Sequence, residues 1–153
     1  MTLVEKIKKL RAQTAAGVME IKKALEATGG DLEKAAVLLK EQGLLKAEKK
    51  QDRETKAGLV HAYIHGGGRV GVLLEVQCET DFVARTELFQ ELVHNLALQI
   101  AAMDPADVTE LEEQVFIKDS QQKVGQMIKS VVAATGENIV VRRFTRYALG
   151  DLN

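Results

Sequence analysis

An acidic and a large aromatic side chain stand next to each other at Asp81 and Phe82, directly after an alternating apolar segment from Val70 to Cys78. The alternation predicts a strand with one buried face, so the pair should lie where that strand ends and a helix begins. Taken alone, these residues favour Thr80 or Asp81 as the N-cap of a short helix, with Phe82 packed in the core. The alternative is that Phe82 points outward and enters a partner molecule.

The other reactive side chains form no recognisable catalytic or metal-binding set. Cys78 falls on the apolar face of the predicted strand and is expected to be a packed core thiol rather than a nucleophile. His61 and His65 would lie roughly 13 Å apart along one strand, too far to share a metal ion, and His94 is expected on a helix. No serine has the sequence context of an activated nucleophile. We therefore predict a protein without catalytic residues, a bound metal or a cofactor.

Two further clusters have simple structural explanations. The glycines of the segment Gly66–Gly68 could suggest a phosphate-binding loop, but they join two strand-like segments and no Lys-Ser/Thr pair follows them. A hairpin turn is the expected structure. The arginines of the last predicted strand, Arg142, Arg143 and Arg146, are expected to be charges on a sheet surface. The alternative is a basic ridge that contacts RNA or an acidic partner.

The composition is that of an ordinary soluble globular protein, with 46% hydrophobic and 28% charged residues and a formal net charge of −1. Neither nucleic acid nor an anionic membrane is therefore the expected partner. The single cysteine excludes an internal disulfide and fits a reducing compartment. The N-terminus has no apolar signal segment, and no run of about 18 apolar residues occurs. We expect a cytoplasmic protein without a membrane span.

Residues 1–45 are predicted to form a module of three short helices. Thr2 and Glu5 have the spacing of a capping box at the first helix start. Apolar residues then recur at helical spacing in each segment, and Gly43 is expected to end the third helix. The charged stretch 46–57 alternates in sign and is predicted to be a solvated helical or flexible linker.

Residues 58–153 are predicted to form an α+β domain with a three-stranded antiparallel sheet and helices packed on one face. Period-two alternation and β-branched residues predict the strands. Two apolar stripes at helical spacing predict two helices, which end at Asp104-Pro105 and at Gly136 because proline breaks a helix and glycine readily ends one. The predicted strands cover 59–65, 69–79 and 139–149, and the stripes run from Phe89 to Met103 and from Val124 to Val132.

A resemblance to a known family is carried by four stretches that together span nearly the whole chain: Leu10–Leu25, Gly30–Ala35, Val70–Arg85 and Gly136–Phe144. The third stretch is the most specific. In their sequences and their order these stretches resemble the elongation factor Ts family, the bacterial and organellar nucleotide-exchange factors for elongation factor Tu. The resemblance implies a bacterial cytoplasmic protein that promotes the release of GDP from elongation factor Tu.

The resemblance also implies two contact regions for elongation factor Tu. The first three helices resemble a ubiquitin-associated-like (UBA-like) module, which docks on the guanine-nucleotide domain of that partner. The Asp-Phe pair is implied to intrude beside the magnesium and phosphate site of the same domain, so that GDP leaves without covalent chemistry. The implied docking residues are Val18, Met19 and Lys22, and the implied disrupting residues are Thr80, Asp81, Phe82 and Val83. The loop Gly136-Glu137-Asn138 lies in a further stretch implicated at the interface.

The chain departs from the family pattern in two ways. Ala15 and Val18 replace a glycine and a methionine of the N-terminal signature, so docking by the module is expected to be weaker. The chain is also short: the second core subdomain, the coiled-coil insertion and the C-terminal module of long members are expected to be absent. The segment from Asp104 to Lys118 looks contracted even against short members. The resemblance to short members implies a homodimer, formed through the sheet or the Cys78 region.

Two other functions are also compatible with the sequence. The first is that of a contracted paralogue or adaptor, which binds elongation factor Tu or another protein without promoting exchange. The second is that of an enzyme using Cys78, which would require a reactive thiol.

Overall fold

The computed structural model describes residues 1–151, and residues 152 and 153 of the predicted α+β domain lie outside the described residues. The chain begins with three helices, continues with an antiparallel hairpin, and then alternates helices with short strands before a long final strand. The helices are α1 (Leu3–Thr14), α2 (Val18–Ala27), α3 (Leu32–Glu48), α4 (Asp81–Ala84), α5 (Glu87–Met103), α6 (Val108–Glu113) and α7 (Val124–Thr135). The strands are β1 (Ala57–His65), β2 (Val70–Cys78), β3 (Val115–Phe116), β4 (Asp119–Lys123) and β5 (Ile139–Ala148).

The three N-terminal helices begin as the sequence predicts. The backbone N–H of Glu5 donates to the Thr2 hydroxyl at 3.2 Å, and the backbone N–H of Thr2 donates to the Glu5 carboxylate at 2.8 Å. Asp31 caps α3 with its carboxylate. The helices enclose a small apolar core of their own, made of Leu10, Ile21, Ala24, Leu25, Ala35 and Leu39. A module with so few buried side chains is only marginally stable alone, so its packing against the rest of the chain matters.

Helix α3 does not end at Gly43, and that prediction is wrong. The helix runs on to Glu48, three residues into the predicted linker. The reason is tertiary packing: a Cβ on Gly43 would lie 3.4 Å from the Cβ of Ala133, so the glycine lets α3 and α7 approach closely. Beyond Gly43, Ala47 is buried in the main core, and Lys129 pairs with Glu48 at 3.2 Å. The division into three segments at residues 45 and 57 stays a prediction.

The main sheet has three antiparallel strands in the order β1-β2-β5, with helices packed on one face, which confirms the predicted α+β fold. The β1–β2 turn consists of Gly66, Gly67 and Gly68, all with positive φ, and is closed by a hydrogen bond from Arg69 N to His65 O at 3.1 Å. Along β2 the alternation is as predicted. Val72, Leu74, Val76 and Cys78 are all buried against the helices.

Helices α5 and α7 cover the inner face of this sheet. Both predicted stripes are buried, except that Met103, the last residue of α5, is half exposed. Asp104 ends α5 in a left-handed conformation directly before the proline, and Gly136 ends α7 in the same way. Within residues 1–151, no helix is both long and apolar enough to cross a lipid bilayer.

The segment between α5 and α7 contains structure that the sequence patterns do not predict. Helix α6 and the small β3–β4 hairpin lie here. The buried side chain of Gln99 holds the hairpin: it donates to Val115 O at 3.0 Å and accepts from Ile117 N at 2.9 Å. Strand β3 has only two residues and β4 is polar throughout, so neither carries an alternation that would reveal it.

The arginines of β5 do not form a basic ridge. A bulge at Arg142 interrupts the pairing with β2, so that Arg143 lies opposite Glu75. Arg143 Nε donates to Glu75 Oε1 at 2.9 Å and holds the pKa of that carboxyl below its ordinary value. Arg146 lies on the other face, where its Nε and Nη2 both donate to Ala101 O at 3.2 Å, near the C-terminus of α5. Two of the three arginines therefore have structural partners within the fold.

Candidate functional site

Phe82 lies on an exposed one-turn helix at the end of β2. We call residues 79–85 the Phe82 junction. Thr80 is the N-cap of α4, and its hydroxyl accepts from Val83 N at 3.3 Å. Val83 and Ala84 are buried and anchor the turn, whereas the Phe82 side chain is 81% exposed. The prediction of a capped helix is therefore correct, but the buried Phe82 that the neighbouring residues favour is wrong, and the ring points outward.

The carboxylate of Glu137, on the loop between α7 and β5, holds the start of the Phe82 junction. One of its oxygens accepts from Glu79 N at 3.1 Å and from Thr80 N at 2.9 Å. The other accepts from the Thr80 hydroxyl at 2.7 Å. Hydrogen bonds to a carboxylate are stronger than neutral ones. Two of them fix the backbone that leads into α4, and the third fixes the Thr80 side chain that caps it.

In a second set of contacts, the acceptor is the carboxylate of Glu79 at the end of β2. The backbone N–H of Asn138 donates to the Glu79 carboxylate at 2.8 Å, and Arg53 Nη1 lies 3.6 Å from the same oxygen. The buried Asn138 side chain donates to Arg53 O at 2.7 Å and to Gln51 O at 3.3 Å. The chain segment that follows α3 is thereby tied to the same place as the junction.

Gly136 belongs to this arrangement through its neighbours. We call residues 136–138 the Glu137 loop. Gly136 ends α7 with φ of 76°, and its carbonyl accepts from Arg53 Nη1 at 3.4 Å. The turn at Gly136 places Glu137 and Asn138 beside the end of β2. The predicted residue Gly136 is therefore brought to the Phe82 junction, and its two successors make the contacts.

Cys78 lies beneath the Phe82 junction as a fully buried thiol, as predicted. Its Sγ donates to Thr80 O at 3.2 Å. Burial raises the pKa of the Cys78 thiol, and the carboxylate of Glu137 raises it further. A reactive cysteine needs an exposed, electropositive setting that lowers its pKa, so this environment disfavours a nucleophilic role.

The predicted docking residues lie on a different element. We call Val18, Met19 and Lys22 the docking surface. Val18 and Met19 stand in the first turn of α2, 39% and 64% exposed, and Lys22 is half-buried one turn later. Glu20 orients this turn, since its carboxylate accepts from Gly17 N at 3.0 Å and pairs with Lys46 of α3.

The fold brings His61 and His94 together, whereas His65 contacts Tyr63. His61 Nε2 lies 3.3 Å from His94 Nδ1, and His65 Nδ1 lies 2.7 Å from the Tyr63 hydroxyl. Burial lowers the pKa of His61, and the positive charge of His94 lowers it further. Within residues 1–151, no group of three or more His, Cys, Asp or Glu side chains has the arrangement of a metal site.

Periodicity and motif spacing missed Glu79, Glu137, Asn138 and Arg53 as parts of the site, although the family resemblance had implicated the loop that contains Glu137 and Asn138. The register could have suggested two of them. In an antiparallel sheet, pairing of β2 with β5 places Cys78 opposite Ile139, so the residues just outside those ends must meet. The role of Arg53 depends on how the segment after α3 is laid over the core, which no local pattern encodes.

Comparison with known proteins links this geometry to a family. A family model described as "Elongation factor TS" matches residues 79–152. Elongation factor Ts of Coprothermobacter proteolyticus is 46% identical over 190 aligned positions, which cover 95% of this chain and 96% of that protein. The proteins of the same name from Thermotoga maritima and Moorella thermoacetica are 44% and 43% identical, each over 95% of this chain and 94% of the relative.

The alignments also show that this chain is contracted. An alignment of 190 positions is 37 longer than a chain of 153 residues, so at least 37 positions of the Coprothermobacter relative have no counterpart here. The segment from Asp104 to Lys118 stays the predicted place of that contraction. The identity nevertheless extends over almost the full length of the relatives. The chain therefore belongs to the elongation factor Ts family.

Proposed function

We propose that this chain is a guanine-nucleotide exchange factor for translation elongation factor Tu, which promotes GDP release during polypeptide elongation in the bacterial cytoplasm. Membership of the elongation factor Ts family supports the partner. The observation that carries the proposal is the position of Phe82. A large aromatic side chain is 81% exposed on a turn that several hydrogen bonds hold in place.

The mechanism follows from binding equilibria and needs no covalent step. GDP is held in such a partner by Mg²⁺ and by donors around its phosphates. A factor that binds the nucleotide-free form more tightly than the GDP form lowers GDP affinity by the same factor, since coupling between two sites is reciprocal. In this proposal Asp81 and Phe82, between Thr80 and Val83, enter beside the Mg²⁺ and phosphate site. The protein acts as a ligand and is not an enzyme.

The docking surface supplies the second contact. Val18 and Met19 offer apolar area at the start of α2, and Lys22 adds a positive charge beside them. Contacts that are equal in the GDP-bound and nucleotide-free complexes raise affinity without changing the release rate. We assign this role to Val18, Met19 and Lys22.

We also propose that the chain acts as a homodimer through the outer face of the sheet. That face lies opposite the one covered by α5 and α7, and it carries apolar side chains that are more than half exposed: Val60, Ile64, Leu73 and Tyr147. Contiguous exposed apolar area of this kind marks protein interfaces. The Cys78 side chain, in contrast, is buried under the helices and offers no contact surface. The mass in solution, alone and with elongation factor Tu, tests this point: a dimer is expected, and a monomer in both states would contradict it.

Stopped-flow release of fluorescent GDP from elongation factor Tu tests the exchange function. Addition of this chain should accelerate release in a way that saturates with its concentration. A chain that binds elongation factor Tu without accelerating release would instead be the adaptor. The exposed, braced Phe82 favours the exchange factor over that second candidate.

A further inference from the structure

We propose that the Glu137 carboxylate is a positioning group for Phe82, which sets the direction of the aromatic ring and so contributes to nucleotide release rather than to binding of elongation factor Tu. This inference rests on the proposed function. It assigns a role to a residue 55 positions from Phe82 in the chain, on the loop between α7 and β5.

Apart from Glu137, few contacts hold the turn that carries Phe82. Helix α4 has four residues, and a single helical turn is unstable by itself because nucleation is unfavourable. Only Val83 and Ala84 of the turn are buried. Without further support, the backbone at Asp81 and Phe82 would sample several conformations, and ordering each residue on binding would cost about 1–2 kcal/mol.

A continuous path of hydrogen bonds runs from Glu137 to this turn. Glu137 fixes the backbone of Thr80 through Thr80 N at 2.9 Å and fixes its side chain through the hydroxyl at 2.7 Å. Because the hydroxyl proton is given to Glu137, a lone pair of the same oxygen is left for Val83 N at 3.3 Å. The carboxylate thus selects the Thr80 rotamer that caps α4, and the capped turn carries Phe82.

The loop that carries Glu137 is itself held in place by its neighbours Gly136 and Asn138. Gly136 ends α7, and Asn138 is buried and bonded to Glu79, Arg53 and Gln51. The backbone of Glu137 is therefore held in place, and its carboxylate bonds to defined groups of Thr80. A group so placed acts through the turn that carries Phe82, which makes it a positioning residue.

The test uses Glu137→Gln, which keeps the size of the side chain but loses its charge and half of its acceptor capacity. Glu113→Gln is the matched control, since it removes the same charge from an exposed carboxylate on α6. GDP release from elongation factor Tu is followed at a series of factor concentrations, which separates the plateau rate from the half-saturating concentration. We expect Glu137→Gln to lower the plateau rate about fivefold, with a change of less than about twofold in the half-saturating concentration. Glu113→Gln should change neither.

A second readout does not depend on elongation factor Tu. Hydrogen exchange of the Thr80 and Val83 amides should become at least about tenfold faster in Glu137→Gln, while the amide of Leu74 in the middle of β2 stays protected. Unchanged exchange at Thr80 and Val83 would overturn the proposed brace. Faster exchange with an unchanged plateau rate would overturn the positioning role alone. Failure of the unsubstituted chain to accelerate GDP release would overturn the proposed function, and this inference with it.

Discussion

The docking surface and the Phe82 junction both expose a large apolar side chain, but the fold supports the two in different ways. Met19 lies in the first turn of a ten-residue helix whose opposite face is packed in the small N-terminal core. Phe82 lies on a four-residue helix that is held by Glu137 from the loop between α7 and β5. One surface is an ordinary helix face, and the other is an irregular turn that long-range hydrogen bonds keep in one conformation.

This difference leads us to expect that binding and exchange depend on different regions of one small protein. Methionine is unbranched and flexible, so it adapts to a partner surface and contributes area. Phenylalanine has only two side-chain torsions, so on a fixed turn it enters a partner as a rigid body. We expect changes at the docking surface to alter affinity and changes at the Phe82 junction to alter the release rate.

The largest expected effect is that of Phe82→Ala. Truncation of an aromatic anchor typically costs at least about 2 kcal/mol, so the plateau rate of GDP release should fall about 30-fold. Because Phe82 is exposed, the variant should unfold at the same temperature as the parent protein. Circular dichroism melting measures this. Phe89→Ala is the contrasting control: Phe89 is fully buried, and its truncation should cost about 3–5 kcal/mol of stability. A Phe82→Ala variant that unfolds would show that Phe82 supports the core.

The next effect concerns the link between the two regions. Asn138→Ala removes two hydrogen bonds from a buried side chain to the segment after α3, at Gln51 O and Arg53 O. We expect a loss of about 1–3 kcal/mol in the free energy of unfolding, measured by urea denaturation. Asn95→Ala removes one surface hydrogen bond to Lys118 and should change stability by less than about 0.5 kcal/mol. Equal stabilities of the two variants would mean that the segment after α3 is not held by Asn138.

A smaller effect is expected at the docking surface. Met19→Ala should raise the half-saturating concentration about fivefold, because it removes about 1 kcal/mol of apolar contact, and should leave the plateau rate unchanged. Val37→Ala removes an equally exposed apolar side chain from α3 and serves as the control. A drop in plateau rate for Met19→Ala would erase the distinction between the two regions.

The smallest effect is a pH dependence that involves neither region. The pKa of His61 is lowered in the folded protein, so the unfolded chain binds the proton more tightly. Stability should therefore fall as the pH drops through the ordinary histidine pKa of about 6.5, by less than about 1 kcal/mol. Replacing the neighbouring ring with His94→Asn should weaken this dependence but not abolish it, because burial is the larger cause of the lowered pKa. Stability that rises on acidification would contradict the sign of the shift.

The sequence predicts what depends on local pattern. The alternation along β2, the glycine turn after His65 and the glycine that ends α7 each reflect a preference of a few neighbouring residues. The predicted fold class follows from these elements. The exposure of Phe82 did not follow from its neighbours, which favoured a buried ring, and depended on the family resemblance.

The rest depends on contacts between distant parts of the chain. Gly43 looked like a helix end, but the packing of α3 on α7 lets a glycine stand inside the helix. The β3–β4 hairpin depends on the buried Gln99 of α5. Glu137 and Thr80 meet only once β5 has paired with β2. These features have no local signature, because the residues that produce them are brought together by folding.

If binding and exchange belong to different regions of the protein, the concentration dependence of GDP release must separate them. The rate of GDP release from elongation factor Tu is recorded over a full range of factor concentrations for the parent chain, Phe82→Ala and Met19→Ala. We predict that Phe82→Ala lowers the plateau at a similar half-saturating concentration, whereas Met19→Ala shifts the half-saturating concentration at the same plateau. A Phe82→Ala variant with the parent plateau and only weaker binding would contradict the account.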